Sequence, residues 1–389
     1  MTGFLRGCRS LMVASTRGCA FDVNQSWTCF NVKPRWCRLY AMQMMENKLL
    51  APFTTLGIGG PARWFVEAVS EDEVAEAAAW AGERGVELFV LGGGSNLLVA
   101  DAGFDGLVLH IGLKGVELKD GLFCAGAGED WDSLVQQSVE VGYAGLECLA
   151  GIPGTVGGTP VQNVGAYGQE VAAAIERVRA FDLAAHTFQE FAAEECGFAY
   201  RRSRFNSADR GRHIVTRVDY RLALGGAPTL RYPDLQKALE EGREEGAQSS
   251  VAPNLADVAA AVRRVRQGKG MLLVEGDPDC RSAGSFFKNP VVSEEQVQQI
   301  AQASTKAPPR FPAGPGQVKL PAAWLIEQAG FSKGFALGAA GISSRHTLAL
   351  INRGGATAAE ICALAARIAE AVEERFGIRL EMEPVMVGF

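Results

Sequence analysis

In V-A-E-A-A-A-W-A, apolar positions recur at the spacing of a helical face, and Ser70 with Glu73 forms a capping box before them. A helix of about three turns is predicted there. E-L-F-V-L, from Glu87 to Leu91, then reads as a buried strand. Between Gly92 and Gly168 short apolar runs (L-V-L-H-I, L-F-C-A-G-A-G) alternate with one helix, Asp130 to Val141, and glycine is dense throughout. The first convincing structure is expected near Pro52. After Arg221 the texture changes: the linker-like L-G-G-A-P-T-L-R-Y-P-D-L leads to helices at Asp234–Glu241, at Leu255–Arg266 and behind Ser293, which has Gln296 as its capping partner. A Pro-rich segment, A-P-P-R-F-P-A-G-P-G, connects to P-A-A-W-L-I-E-Q-A-G. A strand T-L-A-L-I-N and a long amphipathic helix, Ala358 to Phe376, complete the pattern. The class is α+β, without an internal repeat, and the clearest boundary falls near residue 222.

The 389 residues are 48% hydrophobic and 21% charged, enough for a sizeable core in two or three domains, and no apolar run is long enough to span a bilayer. The net charge of −6 is uneven: residues 1–45 carry six basic residues against Asp22, so the remainder is strongly acidic and a poor nucleic-acid binder. The basic leader reads as a disordered extension or a start codon placed too early, and residues 1–45 are set apart from the fold. Nine scattered cysteines, with no C-x-x-C pair and no histidine at metal-ligand spacing, fit reduced thiols in a cytosol and give no metal site.

Two glycine-rich stretches carry the candidate chemistry. L-G-G-G-S-N-L-L-V follows a strand, and Gly92, Gly93, Gly94, Ser95 and Asn96 can turn their amides toward an anion. As a dinucleotide fingerprint it fails, because the third glycine would fall on Leu97; a plain tight turn is the competing reading. G-I-P-G-T-V-G-G-T-P-V-Q-N-V-G-A-Y-G (Gly151 to Gly168) is more specific, with six glycines and two prolines in eighteen residues. So much backbone freedom is costly to order for structure alone. A large flat ligand with a pyrophosphate accounts for it, with Gly154, Thr155, Val156, Gly157, Gly158, Gly165, Ala166 and Tyr167 allowing close approach and the amides of Gln162 and Asn163 reaching ring edges. A-G-S-F-F-K-N-P places the Ser285 hydroxyl between a glycine and two phenylalanines; a turn into a strand and an oxygen with chemistry to do both fit it.

From about Phe53 to Gly388 the chain resembles the UDP-N-acetylenolpyruvoylglucosamine reductase family. The motifs are T-L-G-I-G-G-P-A, L-G-G-G-S-N-L-L-V, G-A-G-E-D-W, G-L-E-C-L-A-G-I-P-G-T-V-G-G-T-P-V-Q-N-V-G-A-Y-G, Y-R-R-S-R-F, A-G-S-F-F-K-N-P, K-L-P-A-A-W-L-I-E-Q-A-G and L-E-M-E-P, in that order. The resemblance implies a two-lobed FAD-binding portion of the vanillyl-alcohol-oxidase type over residues 46–222. It also implies an α+β substrate domain over 223–376 and a C-terminal strand, 377–389, returning to the active site. It implies a cytosolic peptidoglycan-pathway enzyme in which NADPH reduces non-covalent FAD and the flavin passes hydride to the enolpyruvyl ether of a nucleotide sugar.

By the same resemblance Arg201 clamps the substrate carboxylate, Glu383 is the active-site glutamate and Ser285 gives the proton that quenches the carbanion. A carboxylate in the apolar tail around Glu383 needs a partner, and the Phe286 and Phe287 rings are expected to shield Ser285. Asn289 matches a substrate-contacting amide, Tyr232 a tyrosine closing over the diphosphate, and Tyr200, Lys319, Glu327 and Gln328 are further substrate candidates. Two motifs depart from the family. The lysine usual just before P-D-P is absent, leaving Lys269 or Arg281 in its place, and the tail reads L-E-M-E-P where L-E-P-E is common. A flavin oxidase on the same scaffold, and a non-catalytic sensor of nucleotide sugars, are the alternatives; oligomeric state is left open, with a monomer compatible.

Overall fold

The structure, a computed structural model, describes residues 42–241, 252–304 and 306–389. The leader assigned to residues 1–45 lies, up to residue 41, outside the described residues.

Two sheets make up the N-terminal half. The first has the order Met45–Leu49, Pro61–Ala68, Phe104–Ile111, Leu88–Leu91; its outer pair is antiparallel and the other two pairings are parallel. Helix Glu71–Arg84 supplies the crossover. Ser70 accepts from the Glu73 N–H while Glu73 Oε2 accepts from the Val69 N–H, and Gly85 at φ 61° ends the helix. Its apolar stripe, Val74, Ala77, Ala78 and Ala81, is fully buried against the sheet, as the spacing predicts. Among the described residues the first strand starts earlier than Pro52, at Met45. That first strand is an edge strand with a mostly exposed M-E-N-K-L pattern, held by main-chain pairing rather than by a buried face.

The second sheet is antiparallel throughout, in the order Thr187–Ala192, Ile175–Asp182, His213–Arg221, Leu122–Gly126, Val116–Lys119. Helix Trp131–Glu140, capped by Asp130 on the Ser133 N–H, sets the Trp131 indole 5.7 Å from the Tyr220 ring. A bidentate contact ties the two sheets' layers: Arg179 donates to both Glu71 oxygens at 2.8 and 2.9 Å, and Thr216 Oγ1 donates to Glu71 at 2.7 Å.

The C-terminal part holds two small three-stranded sheets around one apolar cluster, in which Phe286, Phe287, Leu320, Leu325, Ile361 and Ile368 are almost wholly buried. Helix Ala358–Phe376 covers it, started by a Thr357/Glu360 capping box and ended by Gly377 at φ 65°. The chain then returns: Val385–Val387 pairs in parallel with Leu97–Val99, the strand just after the first glycine loop. Among the described residues no helix is long and apolar enough to cross a membrane, and no cluster of His, Cys, Asp or Glu is arranged for a metal.

Candidate active site

A cavity of about 1120 Å³ is bounded by both glycine-rich loops, by Ser285 and by the returning segment Glu381–Gly388. The loops interlock. A methyl added at Gly93 would sit 2.6 Å from the Gly154 Cα, and one at Gly92 2.8 Å from Thr155 Oγ1, so glycine is what lets the two backbones meet. Gly94 has φ +61° and Gly154 φ +133°, conformations that side-chain-bearing residues rarely adopt. Asn96 Nδ2 donates to Gln162 Oε1 at 2.8 Å and to the Glu383 carbonyl at 3.3 Å, which ties both loops to the C-terminal segment.

Among the described residues, no protein acceptor takes the N–H of Gly93, Gly94 or Ser95, and Gly158 faces open space on the cavity wall. The unspent amides of Gly93, Gly94 and Ser95, with no Cβ at the two glycines, fit a pyrophosphate. Thr155, Gly157, Gly165 and Ala166 line the same cavity. Val156 and Asn163 do not. Val156 is fully buried and its N–H is spent on the Glu129 carbonyl. The Asn163 amide donates to Glu170 Oε2 and the Ala199 carbonyl and accepts from the Ala172 N–H, so it braces the loop instead of reaching a ring edge.

The residues carried over as catalytic lie far apart in order and close in space. Arg201 Nε donates to Glu383 Oε1 at 2.9 Å, supplying the partner that the buried glutamate needs, and Nη1 donates to the Gly165 carbonyl at 3.1 Å. Burial pushes the Glu383 carboxyl above the ordinary carboxylate range, and the Arg201 guanidinium works against that shift. Arg201 adopts φ 53°, an uncommon conformation for arginine that aims its side chain across the cavity wall. The Glu383 N–H donates to the Phe286 carbonyl at 2.9 Å, Phe287 bridges Met382, and the Lys288 N–H donates to the Glu381 carbonyl. The turn bearing Ser285 is therefore zipped onto the returning segment that bears Glu383, just before the strand Val385–Val387.

The phenylalanines act differently from the expectation. Phe286 and Phe287 stack edge-on at 5.5 Å inside the C-terminal core and are absent from the cavity wall; they anchor the turn rather than roof the serine. Ser285 itself lies half-buried on the wall.

Of the substrate candidates, Tyr232 lines the cavity, edge-on to Tyr167 at 5.5 Å. Tyr200, Asn289, Lys319, Glu327 and Gln328 are outside that lining. Lys319 Nζ stands 4.6 Å over the Tyr200 ring, Asn289 Oδ1 accepts from the Ala322 N–H, and Glu327 Oε1 accepts from Thr347 Oγ1 at 2.6 Å. Of the two cations weighed for the missing lysine, Lys269 lines the cavity, whereas Arg281 is exposed and borders a separate small pocket. Lys269 pairs with Asp234 at 3.0 Å and stands 5.9 Å from the Tyr167 ring centroid. Two further wall residues, Arg266 and His346, gave no motif of their own. The Arg266 guanidinium is buried on the Gly151 and Met271 carbonyls, and burial together with Lys269 and Lys333 brings His346 down to about 4.

Fold and loops together define an FAD-binding oxidoreductase of α+β architecture: the family model described as "FAD binding domain" matches residues 62–187. The C-terminal domain model of UDP-N-acetylenolpyruvoylglucosamine reductase matches residues 277–387. The chain belongs to the UDP-N-acetylenolpyruvoylglucosamine reductase family. It is 44% identical over 358 residues to the reductase of Streptomyces coelicolor, covering 90% of this chain and 92% of that one. With that of Thermobifida fusca it shares 45% identity over 88% of this chain and 98% of the relative. The crystal structure of the Thermus caldophilus reductase is similar at a TM-score of 0.61 and 30% identity, covering 89% of this chain and 98% of that one.

Proposed function

We propose that Arg201, Glu383 and Ser285 form the reducing centre of an FAD-dependent, NADPH-consuming enzyme. It converts the enolpyruvyl ether UDP-N-acetyl-3-O-(1-carboxyvinyl)glucosamine to UDP-N-acetylmuramate for peptidoglycan synthesis. In this reading residues 46–222 bind the flavin, 223–376 bind the substrate and 377–389 bring Glu383 back to the site. When bound and reduced by NADPH, FAD would supply a hydride for the terminal vinyl carbon.

The chain's own groups handle the charge that follows. Hydride addition leaves negative charge on the carbon bearing the carboxylate, delocalised into that carboxylate. Arg201 holds Glu383 through Nε and Gly165 through Nη1, and no protein acceptor among the described residues takes Nη2, which is left for the substrate carboxylate. Donors fixed in advance where charge develops stabilise the transition state at little reorganisation cost. The Ser285 Oγ–H delivers its proton to the charged carbon and is restored from solvent, completing addition of hydride and proton across the double bond. Glu383 fixes the plane of the guanidinium and, through its own N–H on Phe286, the distance to Ser285.

The observation that carries this reading is the Arg201–Glu383 ion pair docked on the Ser285 turn, in the same cavity as the interlocked glycine loops. Anaerobic titration tests it. The purified protein should be yellow, bleach with NADPH, and regain colour when the enolpyruvyl sugar nucleotide is added without oxygen. A bleached protein that recovers colour only with air would overturn the reading in favour of an oxidase.

A further inference from the structure

Glu147 is fully buried and forms no ion pair among the described residues, yet lies outside the cavity lining. A carboxylate without a cation is costly in such surroundings unless its oxygens are well supplied with donors. Three donors meet it: the Gly145 N–H at 2.8 Å on Oε2, and the Thr229 N–H at 2.8 Å and Gln169 Nε2 at 3.2 Å on Oε1. Gln169 closes the knot by accepting from the Cys148 N–H at 3.0 Å and donating to Thr229 Oγ1 at 3.4 Å. Cys148 Sγ donates to the Thr229 carbonyl at 3.2 Å, and burial with the neighbouring Glu147 charge pushes that thiol up to about 12.

The knot joins three stretches distant in sequence, and two of them lead straight to the cavity. Gln169 follows Tyr167 by two residues, and Thr229 precedes Tyr232 by three. Those tyrosines meet edge-on on the cavity wall, beside Lys269 and Arg266. Between the last strand pairing at Leu224 and helix Pro233–Glu241, the linker carries no regular structure; Gly225 donates to the Gly142 carbonyl at its start and the Leu230 carbonyl accepts from Gln236 near its end, and between them Thr229 ties it to the buried knot.

We propose that Glu147 is a positioning residue: its carboxylate pins the linker and so sets Tyr232 against Tyr167 for binding the nucleotide-sugar substrate. The proposal rests on the reading of Tyr232 as a substrate contact. Glu147 touches neither substrate nor flavin and acts only through the tyrosine pair.

The test is a cycle of Glu147→Gln and Tyr232→Ala in the FAD-loaded enzyme, with Gln169→Met as a second way to open the knot should Glu147→Gln not fold. Glu147→Gln conserves volume but turns an amide N–H₂ toward donors. It should raise KM for the sugar nucleotide about tenfold, the scale of one lost hydrogen bond to a charged group, with kcat and the NADPH half-reaction unchanged within about twofold. Gln169→Met should raise the same KM about threefold. In the Tyr232→Ala background neither change should add to KM. An equal KM increase in both backgrounds, an unchanged KM, or a parallel loss of the NADPH half-reaction would each overturn the proposal. If Tyr232→Ala alone leaves KM unchanged, the reading of Tyr232 as a substrate contact fails, and the role given to Glu147 falls with it.

Discussion

Replacing Arg201 by methionine removes the cation from a carboxylate whose side chain is only 11% exposed, while the arginine itself is 23% exposed. Breaking a buried pair on one side costs about 3–5 kcal/mol because the remaining charge is left uncompensated. Residual exposure of both partners puts the expectation at the low end, about 3 kcal/mol. The Glu383 carboxyl, already raised by burial, rises further once its cation is gone. The sign of the pH dependence follows: a carboxyl whose folded pKa exceeds its unfolded value binds more protons when folded. Stability is therefore lost as pH rises from the unfolded value of about 4.3 through the folded one. Urea denaturation of Arg201→Met should show this loss over a wider pH window than the parent, and Arg201→Met with Glu383→Gln should recover most of it. In stopped-flow experiments the NADPH half-reaction should persist, whereas reoxidation by substrate should slow about 10²–10³-fold, the effect of removing one preorganised donor. Reoxidation within threefold of the parent, or a double variant no more stable than Arg201→Met, would refute the reasoning.

Gly93→Ala should abolish flavin retention, because its methyl would lie 2.6 Å from the Gly154 Cα; flavin absorbance per protein after desalting measures it. Lys269→Met should raise KM for the sugar nucleotide, whereas Arg281→Met, outside the cavity, should leave steady-state kinetics unchanged. His213 stands 3.6 Å from Asp182 and 3.8 Å from Asp209, both ring nitrogens without a hydrogen bond; burial lowers its pKa despite those carboxylates. The unfolded chain then binds more protons than the folded one below the ordinary histidine value of about 6.5, so stability falls as pH falls from there. His213→Gln should flatten that slope in denaturation midpoints measured from pH 7 to 5.

Elements with strong local rules are legible in the sequence itself. The Ser70/Glu73 and Ser293/Gln296 boxes start their helices where the sequence places them, and Ala358–Phe376 spans the range its apolar stripe predicts. The Met45–Leu49 strand escaped notice because an edge strand held by backbone pairing writes little into side-chain pattern. Glycine density marked both loops, but not that Gly93 and Gly154 exist for each other, a contact between positions distant in sequence. Misreadings came where a residue type suits two tasks: the Asn163 amide braces its own loop, and the Phe286 and Phe287 rings fill the core. The buried knot of Glu147, Gln169 and Thr229 has no local signature, since each donor comes from a different segment.

The assignment of the proton to Ser285 is tested most directly by single-turnover kinetics of Ser285→Ala. Photoreduced or NADPH-reduced variant is mixed anaerobically with the enolpyruvyl sugar nucleotide, and the return of flavin absorbance is followed. Reduction by NADPH at the parental rate, with reoxidation by substrate slowed about 10²–10⁴-fold, is the predicted outcome for loss of a general acid. Reoxidation at the parental rate would contradict it and move the proton to another group.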